Sequence, residues 1–312
     1  MLTEKLQTED SNISSWLTRR KSRRDALRGL GAGALGVAAL GLLPGEARAG
    51  DDNKLSAKDI SVLNFALNLE YLEAEYYINA TTGAGIEAQG VGVDGRGDAG
   101  GVIIKANPAV PFASQAVREY AEEIAADELN HVRFLRAVLN SKGRRAVARP
   151  VIDLQNSFTN AARAAGIIGP ADLFDPFAND ASFLFGAFVF EDVGVTAYKG
   201  GARLFDNGDV LEAAAGILGV EAYHAGIIRT LLYQLGGGAI DVAQKISDLR
   251  DAVDGSDDRD QGLLLNGKAN LVPTDGNSIA FSRSTRQVLN IVYLGGRDGG
   301  GFFPSGLNGA IR

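Results

Sequence analysis

The sequence predicts an all-α fold in which four long helices form a bundle. Apolar residues recur at intervals of three and four over about 57–82, 113–142, 181–200 and 209–235, as one face of an α-helix requires. Each of these stretches carries a glutamate within its apolar face. The only two histidines, His131 and His224, each follow a glutamate by three residues, although just 14 of the 312 residues are glutamate. Packed side by side, such helices would gather carboxylates and imidazoles inside the protein.

The first predicted helix begins after Ser56, which is a suitable N-cap, and ends at Gly83. Two of its glutamates lie on neighbouring apolar stripes, Glu70 on one and Glu73 on the other. A carboxylate in an apolar face is costly unless it is paired or bound to a metal. Both are candidates for an inward-facing ligand, and we favour Glu70 because its stripe continues to Tyr77.

Two connecting stretches are too irregular for long helices. Residues 84–111 are rich in glycine, and Val102-Ile103-Ile104 is their one strand-like run, so we expect an ordered loop with a short hairpin. Residues 144–180 contain three prolines but are apolar enough to lie against the protein. We expect this second stretch to be a long crossover between the second and third helices.

The N-terminus has the pattern of a signal peptide. Basic residues precede the apolar run 29–43, and Ala47-Arg48-Ala49 forms a small-residue cleavage site. The run is shorter than the roughly 20 residues needed to cross a bilayer, so no permanent membrane span is expected. Residues 22–28, SRRDALR, resemble the twin-arginine export signal, with Ala26 and Arg28 as departures from it. The expected location is the periplasm or the exterior of a bacterium.

Three regions follow from these boundaries: a signal peptide over 1–49, the bundle over 50–238, and a Gly-rich C-terminal extension over 239–312 that packs on the bundle. The extension has two further helix candidates, about 241–252 and 282–293. Its short apolar runs Leu271-Val272-Pro273 and Phe302-Phe303-Pro304 are expected to dock on the surface of the protein.

Charge and cysteine content exclude several functional classes. The net charge is −7, with eight Lys or Arg against five Asp or Glu in residues 1–49, which leaves 23 against 33 in the remainder. An acidic mature protein is a poor match for the phosphate backbone, so no nucleic-acid partner is expected. The absence of cysteine excludes disulfides, iron–sulfur clusters and thiolate zinc sites.

The two Glu-x-x-His pairs suggest a metal site. Residues three apart on a helix are surface neighbours, with Cβ atoms roughly 5–6 Å apart, so Glu128 with His131 and Glu221 with His224 can each converge on one ion. A donor set of carboxylates and imidazoles without thiolates suits two iron or manganese ions better than structural zinc.

One glutamate from each of two helices, with Glu-x-x-His from each of the other two, resembles the ferritin-like superfamily of di-metal carboxylate proteins. The runs LNLEYLEAEYY at 67–77 and VGVTAY at 193–198 look more narrowly like the ferritin-like domain of desiccation-related proteins, over roughly 56–236. The resemblance implies a four-helix bundle with a long connection between its second and third helices. It also implies a ligand set of Glu70, Glu128, His131, Glu191, Glu221 and His224, with Glu128 and Glu221 bridging.

The resemblance implies a centre of two iron ions that reacts with O2 or hydrogen peroxide, as a ferroxidase or peroxidase does, in protection against desiccation or oxidative stress. A manganese catalase is the rival enzyme, with two manganese ions, and a non-catalytic structural stress protein is the rival outside the enzymes. Tyr77, seven residues after Glu70, is a candidate redox-active residue or a core side chain. The oligomeric state is open, a homo-oligomer included.

Overall fold

Helices make up most of the described chain, as the sequence predicts. The computed structural model describes residues 55–141, 143 and 145–312, and the predicted signal peptide lies outside them. In chain order the helices are α1 Ala57–Thr82, α2 Gln115–Asn140, α3 Asn156–Ala164, α4 Asp180–Ala202, α5 Gly208–Leu235, α6 Gly237–Asp254 and α7 Thr285–Val292, with a 3₁₀ turn at Ile86–Gln89. The four predicted bundle helices correspond to α1, α2, α4 and α5, with ends within two residues of those expected.

Local chemistry sets both ends of α1. The Ser56 side chain accepts a hydrogen bond from the backbone N–H of Asp59, and the Asp59 carboxylate accepts one from the backbone N–H of Ser56, which is a capping box. Gly83 ends the helix with φ of 77°, a left-handed conformation that glycine adopts without a steric penalty.

The bundle consists of two tightly packed helix pairs, α1 with α2 and α4 with α5. Asp180 at the start of α4 accepts hydrogen bonds from the backbone N–H groups of Ala113 and Ser114, next to the start of α2, at 2.9 and 2.8 Å. Asp59 in α1 accepts one from the backbone N–H of Asp206, next to the start of α5, at 2.8 Å. Since α2 and α4 begin at the same end, the connection between them must return along the bundle.

That crossover contains α3 and a strand, β2 Ile152–Asp153, which pairs in parallel with β1 Val102–Ile103. The predicted hairpin within 84–111 is therefore wrong, because the strand-like run there finds its partner in the crossover. Close backbone approach explains the glycine at position 100 of this loop. A Cβ on Gly100 would lie 2.2 Å from the backbone nitrogen of Val151, so any side chain would push the two segments apart.

A true hairpin occurs in the C-terminal extension. Strands β3 Leu264–Leu265 and β4 Lys268–Ala269 pair antiparallel. The two residues between them, Asn266 and Gly267, have φ of 53° and 73°, as the preferred two-residue hairpin turn requires.

The extension is joined to the bundle by a buried ionic network of three arginines and three aspartates. Arg229 of α5 and Arg250 of α6 both contact Asp192 of α4, at 2.7 and 3.0 Å. The other members are Arg283, Asp254 and Asp260. Removing one member of such a network leaves a buried charge without its counterion, at a cost of about 3–5 kcal/mol.

Aromatic packing adds a second attachment of the extension. The Phe302 ring lies 5.0 Å from that of Phe158 and 4.9 Å from that of Phe190, centroid to centroid. The predicted docking of 302–304 is thus observed. The predicted docking of 271–273 is observed only in part. Leu271 and Pro273 are half-buried, but Val272 is 74% exposed.

Two described helices, α4 and α5, are long and apolar enough to cross a membrane by length and composition alone. Both are bundle helices, and each carries a buried glutamate, Glu191 in α4 and Glu221 in α5. The apolar window is 61% buried in α4 and 33% buried in α5.

Candidate metal centre

The six ligands that the resemblance implies lie on the four bundle helices and face one another. Glu70 is on α1, Glu191 on α4, and the two Glu-x-x-His pairs on α2 and α5. All six side chains are buried, and His131 is the most exposed, at 8%.

These residues form two groups with the geometry of metal sites. The first is Glu70, Glu128, His131 and Glu221, and the second is Glu128, Glu191 and His224. Within each group, one ligand atom per residue lies within 4.8 Å of all the others. Glu128 belongs to both groups, which is the arrangement of a bridging carboxylate. Glu221 belongs to the first group only.

Distances around the histidines show how Glu128 serves both groups. His131 Nδ1 lies 3.1 Å from Glu70 Oε2 and 3.4 Å from Glu128 Oε2. His224 Nδ1 lies 3.0 Å from Glu128 Oε1 and 3.6 Å from Glu191 Oε2. One oxygen of Glu128 therefore faces each imidazole, and the two rings are 6.4 Å apart, centroid to centroid.

Unsatisfied buried atoms provide a direct test of whether these residues fit a metal centre. Six ligand atoms have no hydrogen-bond partner among the described residues: both carboxylate oxygens of Glu128, both of Glu221, Oε2 of Glu191 and Nδ1 of His224. The His224 and Glu128 atoms are close, but they are not aligned for a hydrogen bond. Buried polar atoms without partners are costly, and cations bound in the two groups would satisfy these atoms. The donor set therefore fits a centre of two metal ions.

Two tyrosines hold the outer glutamates across the bundle. Tyr77 of α1 donates a hydrogen bond to Glu191 of α4, and Tyr198 of α4 donates one to Glu70 of α1. Each tyrosine stands seven residues after the glutamate of its own helix, so the pattern repeats with approximate two-fold symmetry. Tyr77 is a predicted site residue. Tyr198 was missed, although the same spacing of seven could have revealed it.

A fifth carboxylate and a glycine break this symmetry. Glu70 and Glu73 stand three apart on α1, whereas the matching pair on α4 is Glu191 and Gly194. A Cβ on Gly194 would lie 2.1 Å from Glu221 Oε2 and 3.5 Å from Glu73 Oε1. The missing side chain at Gly194 thus makes room for the Glu221 carboxylate, whereas the distance to Glu73 is an ordinary contact. The structure includes Glu70, and not Glu73, in the group around His131, while Glu73 is buried beside it.

Burial and mutual repulsion raise the pKa of most of these carboxyls. Burial raises the pKa of Glu70 to about 7, against the opposing effect of His131. Burial, followed by the other carboxylates, raises the pKa of Glu73 and of Glu221 well above the usual range. Without metal, these side chains therefore take up protons.

The pKa values of Glu128 and of the two histidines are shifted in favour of the charged form of each side chain. Burial opposes the charge on Glu128, but the imidazoles of His131 and His224 outweigh it and lower its pKa below the usual range. Burial likewise opposes protonation of His131, yet Glu70 and Glu128 raise its pKa to about 10. A metal must therefore displace protons from the imidazoles to bind, which makes metal affinity dependent on pH.

We expect the metal-free protein to lose stability as pH rises from 5 to 8. The stabilising contribution of Glu70 is complete below its unfolded-chain value of 4.5 and is lost as pH rises through about 7. The contribution of His131 is complete below 6.5 and is lost towards pH 10. The measurement is thermal unfolding of chelator-treated protein over this pH range, with Glu70→Gln as the variant whose loss between pH 5 and 7 should be smaller. A metal-free protein that gains stability from pH 5 to 8 would contradict this electrostatic account.

Comparison with known proteins supports the same assignment. A family model for the ferritin-like domain matches residues 58–234, which span all four bundle helices. A desiccation-related protein from Craterostigma plantagineum, PCC13-62, is 31% identical over 256 residues, covering 77% of this chain and 79% of that protein. The ferritin-like catalase Nec2 from Nesocodon mauritianus is 26% identical over 280 residues, covering 84% of this chain and 87% of that protein.

No solved structure shows a significant similarity to the chain. The family model covers more than half of the chain, and its match ends at residue 234, one residue before the end of α5. The predicted resemblance to ferritin-like and desiccation-related proteins is confirmed. This chain belongs to the ferritin-like domain family.

Proposed function

We propose that this chain is an exported oxidoreductase whose two-metal centre reacts with hydrogen peroxide or O2. The observation that carries the proposal is the set of six buried ligand atoms without partners, which face one another between the four bundle helices. Iron and manganese both accept mixed carboxylate and imidazole ligands. We propose iron as the first choice of metal and manganese as the second. The name of one relative, a ferritin-like catalase, supports peroxide as the oxidant.

When bound, two redox-active ions would supply the electrons that cleave an O–O bond. The residues that would hold them are the six of the two groups, with Glu128 shared between the two positions. Tyr77 and Tyr198 fix the orientation of Glu191 and Glu70 through their hydrogen bonds. Pre-oriented ligands of this kind keep the centre in one geometry as charge changes during the reaction.

Reduction of one hydrogen peroxide molecule to two waters consumes two electrons and two protons. Glu73 is suited to provide a proton, because it is buried beside the centre, and its burial and the neighbouring carboxylates raise its pKa well above the usual range. Tyr77 is the candidate redox-active side chain. It is fully buried, and its hydroxyl contacts the Glu191 carboxylate.

Peroxide consumption tests the proposed reaction. We expect protein loaded with Fe(II) under anaerobic conditions to consume hydrogen peroxide and to oxidise two Fe(II) per peroxide reduced, without release of O2. The measurements are peroxide loss, Fe(III) absorbance and O2 evolution in one reaction. Chelator-treated protein is the control. If neither iron-loaded nor manganese-loaded protein consumes peroxide or O2 above that control, the enzyme proposal is wrong and the structural stress protein replaces it.

Catalase-type dismutation is the second candidate, and the relative named a ferritin-like catalase favours it. In that reaction two hydrogen peroxide molecules give two waters and one O2, with no net oxidation of the metal. Release of one O2 per two peroxides by manganese-loaded protein would select it over the ferroxidase or peroxidase reaction. For either reaction we propose a role in desiccation or oxidative stress, since another relative is named a desiccation-related protein.

We further propose export by the twin-arginine route to the periplasm or the cell exterior. Arg23→Lys combined with Arg24→Lys is expected to abolish export and leave the fold and metal binding of the domain unchanged, because a translocase reads these side chains. The measurement is the amount of protein outside the cytoplasm and the N-terminal residue of the exported form, expected near Gly50. Normal export of the double variant would indicate another route.

A further inference from the structure

The two histidines of the centre differ in the partner of the ring nitrogen that faces away from the centre. His224 faces Glu128 and Glu191 with Nδ1, and its other ring nitrogen, Nε2, lies 3.3 Å from Asp127 Oδ2. Asp127 is on α2, directly before Glu128, and its side chain is 38% exposed. It thus connects the solvent-facing side of α2 to an imidazole on α5.

His131 has no such partner among the described residues. Its Nδ1 contacts Glu70, Glu128 and Glu221, and its remaining contacts include no carboxylate at Nε2. The approximate two-fold symmetry shows why. Asp127 precedes the glutamate of the first Glu-x-x-His pair, whereas the residue before Glu221 in the second pair is Val220. Valine cannot accept a hydrogen bond.

This difference coincides with a difference in the number of ligands. The group around His131 contains four candidate ligands, and the group around His224 contains three. The smaller group is therefore the one whose histidine has a carboxylate at its other ring nitrogen, Nε2. A carboxylate hydrogen-bonded to a ligating imidazole fixes its tautomer and ring orientation and makes it a stronger donor.

We infer that Asp127 is a positioning residue for one metal position only, the one formed by Glu128, Glu191 and His224. It holds the His224 ring so that Nδ1 faces the centre, and it offsets the missing fourth ligand. The His131 position does not depend on it. The metal affinity of the His224 position therefore depends on Asp127, and that of the His131 position does not. This inference rests on the proposed two-metal centre.

The test is anaerobic titration of the full-length protein with Mn(II), with free Mn(II) followed by electron paramagnetic resonance. Asp127→Ala should weaken one of two bound ions about 10- to 100-fold and leave the other unchanged, which is the usual effect of removing such an outer partner. Glu123→Gln is the matched control, since it removes an exposed carboxylate one turn earlier on α2. It should leave both affinities unchanged.

Single-position backgrounds assign the effect. In His131→Ala, which retains the His224 position, Asp127→Ala should remove most of the remaining binding. In His224→Ala it should have no effect. Equal losses in both backgrounds, or a loss as large in Glu123→Gln, would overturn the inference in favour of a general charge effect. Unchanged affinities in Asp127→Ala would overturn it outright.

Val220→Asp supplies the missing partner to the other histidine and keeps the test informative if Asp127→Ala is poorly folded. It should tighten the His131 position in the His224→Ala background and leave the His131→Ala background unchanged. The opposite pattern, or no change in either, would count against the inference. Absence of Mn(II) and Fe(II) binding in the unmodified protein would refute the proposed function itself. Two bound ions that are indifferent to Asp127 would refute only the inference.

Discussion

Replacing Glu128 with glutamine is expected to reduce the metal content from two ions per chain to near zero. Glu128 belongs to both ligand groups, with one carboxylate oxygen facing each histidine. Glutamine keeps the shape of the side chain, but it removes the charge and replaces one oxygen with an amide nitrogen that cannot bind a metal. Both positions lose the ligand that they share.

Glutamine at Glu70 or Glu191 should have about half that effect, because each belongs to one group only. Glu122→Gln, elsewhere on α2, is the control for loss of a negative charge and should retain two ions. The measurement is elemental analysis after anaerobic reconstitution and removal of excess metal. Two ions in Glu128→Gln, or equal losses in all three ligand variants, would show that Glu128 does not bridge.

Alanine at Gly194 is expected to weaken metal binding by the group around His131 without unfolding the protein. The new Cβ would lie 2.1 Å from Glu221 Oε2, a distance at which one of the two atoms must move. The carboxylate is the end of a flexible side chain, so it should be displaced from the centre while the helices stay in place. We expect the affinity of the group around His131 to fall by about tenfold or more, the scale of disturbing a metal ligand from outside.

The same substitution should not lower the stability of the metal-free protein. Alanine is favoured over glycine within a helix by about 1 kcal/mol, so metal-free Gly194→Ala should melt no lower than the unmodified metal-free protein. Gly201→Ala on the same helix is the matched control, because its Cβ would meet only Val62 at an ordinary 3.9 Å. It should retain both ions. If Gly194→Ala binds metal normally, the space at Gly194 is not what positions Glu221.

The helices, and the helix faces that carry the candidate ligands, were predictable because both depend on short-range periodicity, whereas the set of six ligands followed from the resemblance to ferritin-like proteins. Spacing of three and four residues fixes which side chains share a face, and a glutamate within such a face has few roles other than pairing or metal binding. Glu70, Glu128 and His131 could therefore be located on their helices without knowledge of what faces them. The capping residues of α1 could also be identified from the sequence, because capping depends on residues close together in the chain.

Features that depend on contacts between distant segments were not predictable. The β1 strand was assigned to a hairpin because its true partner, β2, lies about 50 residues later in the crossover. The role of Gly194 depends on Glu221, which faces it from another helix. The ionic network between Asp192 and Arg250 likewise joins residues far apart in sequence. Periodicity places a residue on a face, and it does not identify the residue on the opposite face.

We propose that six buried side chains form a centre for two metal ions. The most direct test is thermal unfolding of the protein at pH 7 during anaerobic titration with Fe(II) or Mn(II), with bound metal determined in the same samples. A ligand that binds only the folded state adds about 2.7 kcal/mol at a hundredfold excess over Kd, which corresponds to a rise in Tm of roughly 5–10 °C. The account predicts such a rise, complete at two ions per chain. No bound metal and an unchanged Tm would contradict it.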